Sequence, residues 1–133
     1  MNRRELFLGA SALCLVPYVA AAQDHVMYTP GAVVQRLAAG ETVLVDFYAS
    51  WCSTCRAQER IVNALRQENP AYDAAMTFVR VDWDEHRRSE ITQMLQVPRR
   101  STLILLRGEE ELGRIVAGTR ENDIRALLDL GLA

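Results

Sequence analysis

The chain has 133 residues, half of them hydrophobic and 24% charged, with a formal net charge of −2. This is a globular composition with enough apolar side chains for one core, which excludes a disordered chain, collagen-like repeats and a disulfide-dense scaffold. All fifteen Lys-or-Arg positions are Arg, and with acidic residues in excess the sequence lacks the basic footprint that nucleic-acid binding needs.

Residues 1–22, MNRRELFLGASALCLVPYVAAA, read as a secretory signal peptide. Arg3 and Arg4 form a positive start, Leu6 to Val19 an apolar stretch, and Ala20-Ala21-Ala22 a small-residue exit, with cleavage expected between Ala22 and Gln23. The apolar run is short for a membrane span and contains Pro17, although retention as an uncleaved anchor remains the alternative. The Arg pair followed by Glu5-Leu6-Phe7-Leu8 also resembles a twin-arginine export signal, so the Sec and twin-arginine routes stay undecided. Removing the leader leaves residues 23–133, enough for one domain, with 13 basic and 16 acidic residues and a net charge of −3. Cys14 departs with it. The remaining Cys52 and Cys55 enclose too small a loop to staple a fold in an oxidising compartment, so they read as a reactive pair.

Val26–Tyr28 is a short strand candidate. Pro30 suits the first turn of a helix running to about Ala39 and ended by Gly40. Thr42 to Tyr48 (TVLVDFY) is the near-continuous apolar run of a strand buried on both faces. From Cys52 to about Gln67, Ala57, Ile61, Ala64 and Leu65 recur at helical spacing, and Asn69-Pro70 closes that helix. Met76 to Val81 is a second buried strand. Asp84 to Leu95 reads as one helix with Ile91, Met94 and Leu95 inward. Thr102 to Leu106 is a further strand, and Gly108 turns the chain into Leu112 to Val116. Thr119 is positioned to cap a last helix facing the core with Ile124, Leu127 and Leu128. The order β-α-β-α-β-α-β-β-α predicts an α/β fold. It has a mostly parallel central sheet, an antiparallel C-terminal hairpin and helices on both faces.

The strand Thr42–Tyr48 runs into Ala49-Ser50-Trp51-Cys52-Ser53-Thr54-Cys55 and then a helix. Cys52 therefore lies at a helix N-terminus, where unpaired N–H groups and the macrodipole favour the nucleophilic thiolate. Cys55, one turn on, is close enough to resolve a mixed disulfide formed at Cys52. Half of a zinc site is the bland reading of C-x-x-C. No second such pair supplies further ligands, and His25 and His86 are solitary. Asp46 is the one ionisable residue inside its apolar run. It is either a buried carboxylate or a strand-end Asp turned to solvent.

The stretch VLVDFYASWCSTC resembles the thioredoxin family, in which a buried strand carrying an Asp runs into W-C-x-x-C. The resemblance covers Val26 to Leu132 and extends to the closing VAGTRENDIRALLDLGL. It implies a thioredoxin fold with Cys52 attacking, Cys55 resolving and Asp46 as a buried proton-transfer group with a raised pKa. Trp51 becomes a cover beside the site, a core aromatic being the alternative. Arg80 falls where the family has a Lys near that Asp, and either pairs with Asp46 or is solvated.

One departure concerns the cis-Pro that the family places before the strand facing the cysteines. An ungapped match puts Ser101 there, with Arg100 before it and Pro98 three residues early. The opposite register, with Pro98 in that place, stays open. With Ser101 there, the Arg100–Ser101 bond is expected to be trans, the groove beside Cys52 more open, and Trp51, Arg100 and Ser101 to hold substrate. The pairs Arg87-Arg88 and Arg99-Arg100 read as solvated faces, the alternative for Arg99-Arg100, which would lie next to the thiols, being recognition of an acidic partner.

These readings converge on an exported, periplasmic thiol-disulfide oxidoreductase. It is expected to act as a monomer on protein disulfide or dithiol substrates with a redox partner protein, without bound cofactor, resident metal or nucleic acid. With the leader cleaved, no stable membrane association is expected. The alternative is a metal- or cluster-binding module of the same fold using the same two thiols.

Overall fold

The computed structural model describes residues 25–133; the leader and Cys14 lie outside them. The elements run β1 (Val26–Met27), α1 (Ala32–Ala38), β2 (Thr42–Tyr48), α2 (Ser53–Glu68), α3 (Ala71–Ala75), β3 (Thr77–Asp82), α4 (Trp83–His86), α5 (Glu90–Met94), β4 (Thr102–Arg107), β5 (Glu110–Val116) and α6 (Glu121–Leu130). The sheet has the order β1-β3-β2-β4-β5. β3 is parallel to β1 and β2, whereas β4 is antiparallel to β2, and β5 to β4. The parallel arrangement expected from sequence thus holds for three strands. β4 enters reversed, and the sheet is mixed.

β2 is the centre, and its composition explains why. It is paired on both edges, to β3 and to β4, and six of its seven residues are buried. Val43, Val45 and Phe47 face one side with Val79, Val81, Ile104 and Leu106, under Val33 of α1 and Ile91 of α5. Leu44 faces the other with Phe78, Leu103 and Leu105, against Val62 and Leu65 of α2, Tyr72 of α3 and Ile124, Leu127 and Leu128 of α6. The period of two along a strand puts Asp46 on the same face as Leu44, under α2.

Four local expectations are corrected. The inward stripe of α2 is Cys55, Gln58, Val62, Leu65 and Arg66; Ala64 is exposed and Ala57 and Ile61 are half-buried. Arg66 reaches the interior because its Nε pairs with Asp73 at 2.6 Å and its guanidinium stacks 4.0 Å over Phe78. Pro70 does close α2, but it also starts α3, which the sequence reading missed. The helix read over Asp84 to Leu95 is two short helices, and Met94 is exposed. Side chains break it. Asp82 caps α4 through the Asp84 N–H, His86 Nδ1 meets Ser89 Oγ at 2.9 Å, and Thr92 Oγ1 donates to the His86 carbonyl at 2.7 Å. Such local side-chain bonds compete with the helical ladder.

Thr119 does not cap α6. The capping position is Arg120, without a side-chain bond, and Glu121 and Asp123 in the first turn complement the helix dipole instead. Gly40 ends α1 with φ +87, as its position suggested. Among the described residues no helix is long and apolar enough to cross a membrane.

Candidate active site

β2 delivers the chain at the edge of the sheet, and the Cys52 N–H closes a turn onto the Ala49 carbonyl at 3.1 Å. Cys52 is then the N-cap of α2. Its Sγ accepts the Cys55 N–H at 3.2 Å, the place an Asp or Ser oxygen commonly takes. The thiolate is therefore stabilised by a real backbone donor as well as by the helix dipole. Both thiols are free and buried, Cys52 3% exposed and Cys55 1%.

Ser101, directly before β4, closes the site from the opposite side. Its Oγ lies 3.1 Å from Cys52 Sγ and 3.1 Å from Cys55 Sγ. All peptide bonds among the described residues are trans, Arg100–Ser101 and Val97–Pro98 included, and Pro98 is exposed. Ser101 is fully buried, with a positive φ of 63°. Its N–H donates to the Phe47 carbonyl at 2.7 Å, and its own carbonyl accepts from Ala117 N–H at 2.8 Å and Gln58 Nε2 at 3.0 Å. The expectation that Ser101 holds substrate is corrected accordingly: its main chain has no free group for an incoming strand.

Trp51 is 54% exposed and held on both sides. Its Nε1 donates to the Asp84 carboxylate at 2.9 Å, and the Arg100 guanidinium lies 4.3 Å over its ring. Trp51 and Arg100 thus form a stacked wall at the rim, available to a docking chain. Trp51 is no core aromatic; the aromatics that pack beside Ala49 and the thiols are Tyr48 and Trp83.

Burial opposes ionisation of Cys52, yet hydrogen bonds from the Cys55 thiol, the Ser101 hydroxyl, the Cys55 N–H and Arg100 outweigh it and bring the pKa down to about 7. Burial pushes Cys55 the other way, and its bond to Cys52 adds to that shift. One thiol is poised to ionise near neutrality while its neighbour keeps its proton.

Asp46 is buried under α2, with Oδ1 lacking any hydrogen-bond partner. Burial raises its pKa to about 7; Arg80 pulls it down, and Glu59 and Cys52 push it up. Arg80, opposite Asp46 in the sheet register, places Nη2 3.8 Å from Asp46 Oδ2 and 3.1 Å from Glu59 Oε1, and stacks 4.2 Å over Tyr48. Arg80 is therefore paired, and shared. His25 Nε2 is 3.9 Å from Asp46, but burial, Arg80 and Arg66 hold its pKa at about 3, so it is neutral there.

Two residues escaped the sequence reading, Glu59 and Gln58, and His25, read there as solitary, lies beside Asp46 and Arg80. Gln58 Nε2 ties the Ser101 carbonyl to that of Gly118. Its place three residues after Cys55 on one helix face was the available signal, masked by the apparent Ala57–Ile61 stripe. Among the described residues no group of three or more His, Cys, Asp and Glu side chains is disposed to hold a metal ion.

Comparison with known proteins agrees with this geometry. The family model described as Thioredoxin matches residues 26–129. Thioredoxin H2-1 of Oryza sativa subsp. japonica is 34% identical over 79 residues, covering 59% of this chain and 53% of that one. The mitochondrial thioredoxin-2 of Schizosaccharomyces pombe is 32% identical over 95 residues, 71% of this chain and 64% of its own. The match thus spans about half the length of the first relative and less than two thirds of the second. The crystal structure of Trxlp from Edwardsiella tarda EIB202 has a TM-score of 0.67 at 34% identity, covering 77% of this chain and 97% of that one.

A carboxyl whose pKa is raised by folding favours the folded state while it is protonated in both states, below the unfolded value near 4. That contribution is lost as pH rises toward the folded value of about 7. Asp46→Asn is therefore expected to stabilise the reduced protein by about 2–4 kcal/mol at pH 8, with the gain shrinking steadily toward pH 4. Urea unfolding at several pH values checks this; a gain independent of pH would mean that Asp46 ionises freely in the folded protein.

Proposed function

The chain belongs to the thioredoxin family, and on that premise we propose that it is a thiol-disulfide oxidoreductase that reduces protein disulfides outside the cytoplasm. The observation that carries this reading is the asymmetry of the two thiols at the start of α2, with Cys52 at a pKa of about 7 and Cys55 held protonated.

The Cys52 thiolate attacks one sulfur of a substrate disulfide and releases the other as a thiolate. Cys55 then loses its proton and attacks Cys52 Sγ, which frees the second substrate thiol and leaves the Cys52–Cys55 disulfide. Asp46, buried beneath α2 with a pKa near neutrality, serves as the local proton acceptor for the second step. Trp51 and Arg100 form the rim against which the substrate chain docks, with Arg100 favouring an acidic one. A reducing partner protein returns the pair to the dithiol form, and no bound cofactor takes part. The protein acts as a monomer. The metal-holding alternative finds no support in the comparisons.

Direction follows from the thiol chemistry. A nucleophilic cysteine near pKa 7 is in the thioredoxin range, far from the values near 3.5 that make a pair strongly oxidising. Among the described residues Arg100 is the cation that helps Cys52, a contribution the Ser53-Thr54 dipeptide by itself did not suggest. Its effect is offset by burial. A glutathione redox titration is expected to give a potential near about −270 mV, with insulin reduced catalytically. A value above about −150 mV would reverse the assigned direction.

The roles of the two sulfurs are separable. Cys55→Ser should accumulate mixed disulfides with substrate proteins, and Cys52→Ser should accumulate none, as resolved on non-reducing gels. The reverse pattern would exchange the roles.

Export rests on residues 1–22 alone. N-terminal sequencing of the protein recovered from a periplasmic fraction should begin at Gln23. A full-length protein confined to the cytosol would remove the compartment from this proposal and leave the chemistry untouched.

A further inference from the structure

The Ser101 hydroxyl is placed where one donor meets two sulfurs. Its oxygen is 3.1 Å from each, and no part of the residue is open to solvent. Its backbone is fully committed, N–H to Phe47 and carbonyl to Ala117 and Gln58, so the hydroxyl is the one group left to rotate. The residue also occupies the left-handed region at φ 63°, which non-glycine residues adopt at a cost and which persists where the surroundings over-determine it. Pairing on three sides supplies that over-determination.

A serine hydroxyl has one proton to donate and lone pairs to accept. With Cys52 ionised and the Cys55 proton bonded to it, the hydroxyl donates its own proton to Cys52 as well and lies within reach of Cys55. Once Cys52 is bonded to a substrate sulfur it carries no charge, and the sulfur that must become anionic is Cys55. We propose that Ser101 is a catalytic residue of the exchange, its single O–H following the negative charge from the Cys52 sulfur during attack to the Cys55 sulfur during resolution. This rests on the dithiol-exchange reading above and adds to it a charge-stabilising role for the residue beside both thiols.

The electron count is unchanged by Ser101. Cys52 thiolate and the substrate disulfide give a mixed disulfide and a substrate thiolate, and a base takes the Cys55 proton. The Cys55 thiolate then displaces the second substrate thiolate from Cys52, so the Cys52–Cys55 bond forms as the Cys52–substrate bond breaks. Ser101 keeps its own proton throughout and changes only the sulfur to which it points.

The other ionisable groups around the pair are Arg100, from the segment before β4, and Asp46 on β2, itself tied to Arg80 on β3 and Glu59 on α2. None of them contacts both sulfurs. Arg100 acts on Cys52 from the rim, and Asp46 feels the charge of Cys52 from beneath.

Ser101→Gly and Ser101→Ala both delete the hydroxyl. Glycine suits a positive φ and alanine does not, so an effect common to both belongs to the hydroxyl and an effect confined to alanine belongs to the backbone. Two measurements on the reduced full-length protein test the proposal. The first is the pH profile of Cys52 alkylation by iodoacetamide, read by mass spectrometry. Its midpoint near 7 should move up by about one pH unit in both variants, the loss of about tenfold in thiolate at a given pH that one hydrogen bond to a charged sulfur implies.

The second is the reaction with 5,5′-dithiobis(2-nitrobenzoate), which releases one thionitrobenzoate on attack at Cys52 and a second when Cys55 resolves the adduct. The second phase at pH 7 should slow by about tenfold in both variants. An unchanged midpoint in Ser101→Gly overturns the proposal, because a purely structural serine would leave the Cys52 titration where it is. A raised midpoint with an unchanged second phase overturns the transfer to Cys55. Failure of the wild type to reduce insulin would count against the exchange reading, while the alkylation profile would still report whether the hydroxyl stabilises Cys52.

Discussion

The site depends on a strand that is paired on both edges. β2 bonds to β3 along one side and to β4, reversed, along the other. Neither edge is free to slip, because a shift of one residue would turn Val43, Val45 and Phe47 out of one core layer and Leu44 out of the other. Held in that register, the end of β2 brings Cys52 to the start of α2, and the start of β4 brings Ser101 back to the same point. The Ser101 N–H on the Phe47 carbonyl continues that pairing past the formal start of β4. Hydroxyl and thiols meet because two neighbouring strands, running in opposite directions, begin and end at one edge of the sheet.

Around this point the electrostatics is layered. Above, Trp51 is stacked by Arg100 and anchored by Asp84, giving an exposed aromatic face with a cation behind it. At the centre two sulfurs share the hydroxyl. Beneath, Asp46 is kept from water and only partly compensated by Arg80, whose shorter contact is to Glu59. Desolvation therefore wins over attraction at Asp46, and its proton is held to about pH 7. The same burial acts on His25 in the opposite sense, keeping it neutral and leaving Arg80 as the nearest positive charge to Asp46. The charge on Cys52 adds to the upward shift at Asp46, so the carboxyl holds its proton more firmly while the thiolate is present.

Replacing an imino acid by serine at the position before β4 alters what that position can do. A proline ring there would supply a wall and no donor; serine supplies a donor and fills the gap with it. The chain meets the steric requirement of the turn with a positive φ and trans bonds, supported by Gln58, whose side chain reaches 43 residues along the sequence to the Ser101 carbonyl. Gln58 is wholly inside the protein, its amide shared between the Ser101 and Gly118 carbonyls.

Much of this was legible in the residues themselves. The apolar run Thr42–Tyr48 marked a central strand, the strand-to-helix placement of W-C-x-x-C marked the reactive pair, and Asp46 stood out as a charge inside that run. Those are local properties: side-chain type and spacing fix which segments are buried and which end of a helix a cysteine occupies. What sequence spacing left undecided was every relation between distant segments. The reversed entry of β4, the division of one expected helix into α4 and α5, the choice between solvent and Asp46 for Arg80, and the partners of Ser101 each depend on which element packs beside which. A hydrogen bond is made or lost over a few tenths of an ångström. The distance between residues 52 and 101 is set by the pairing of two strands and the turn before one of them, and by nothing in the neighbourhood of either residue along the chain.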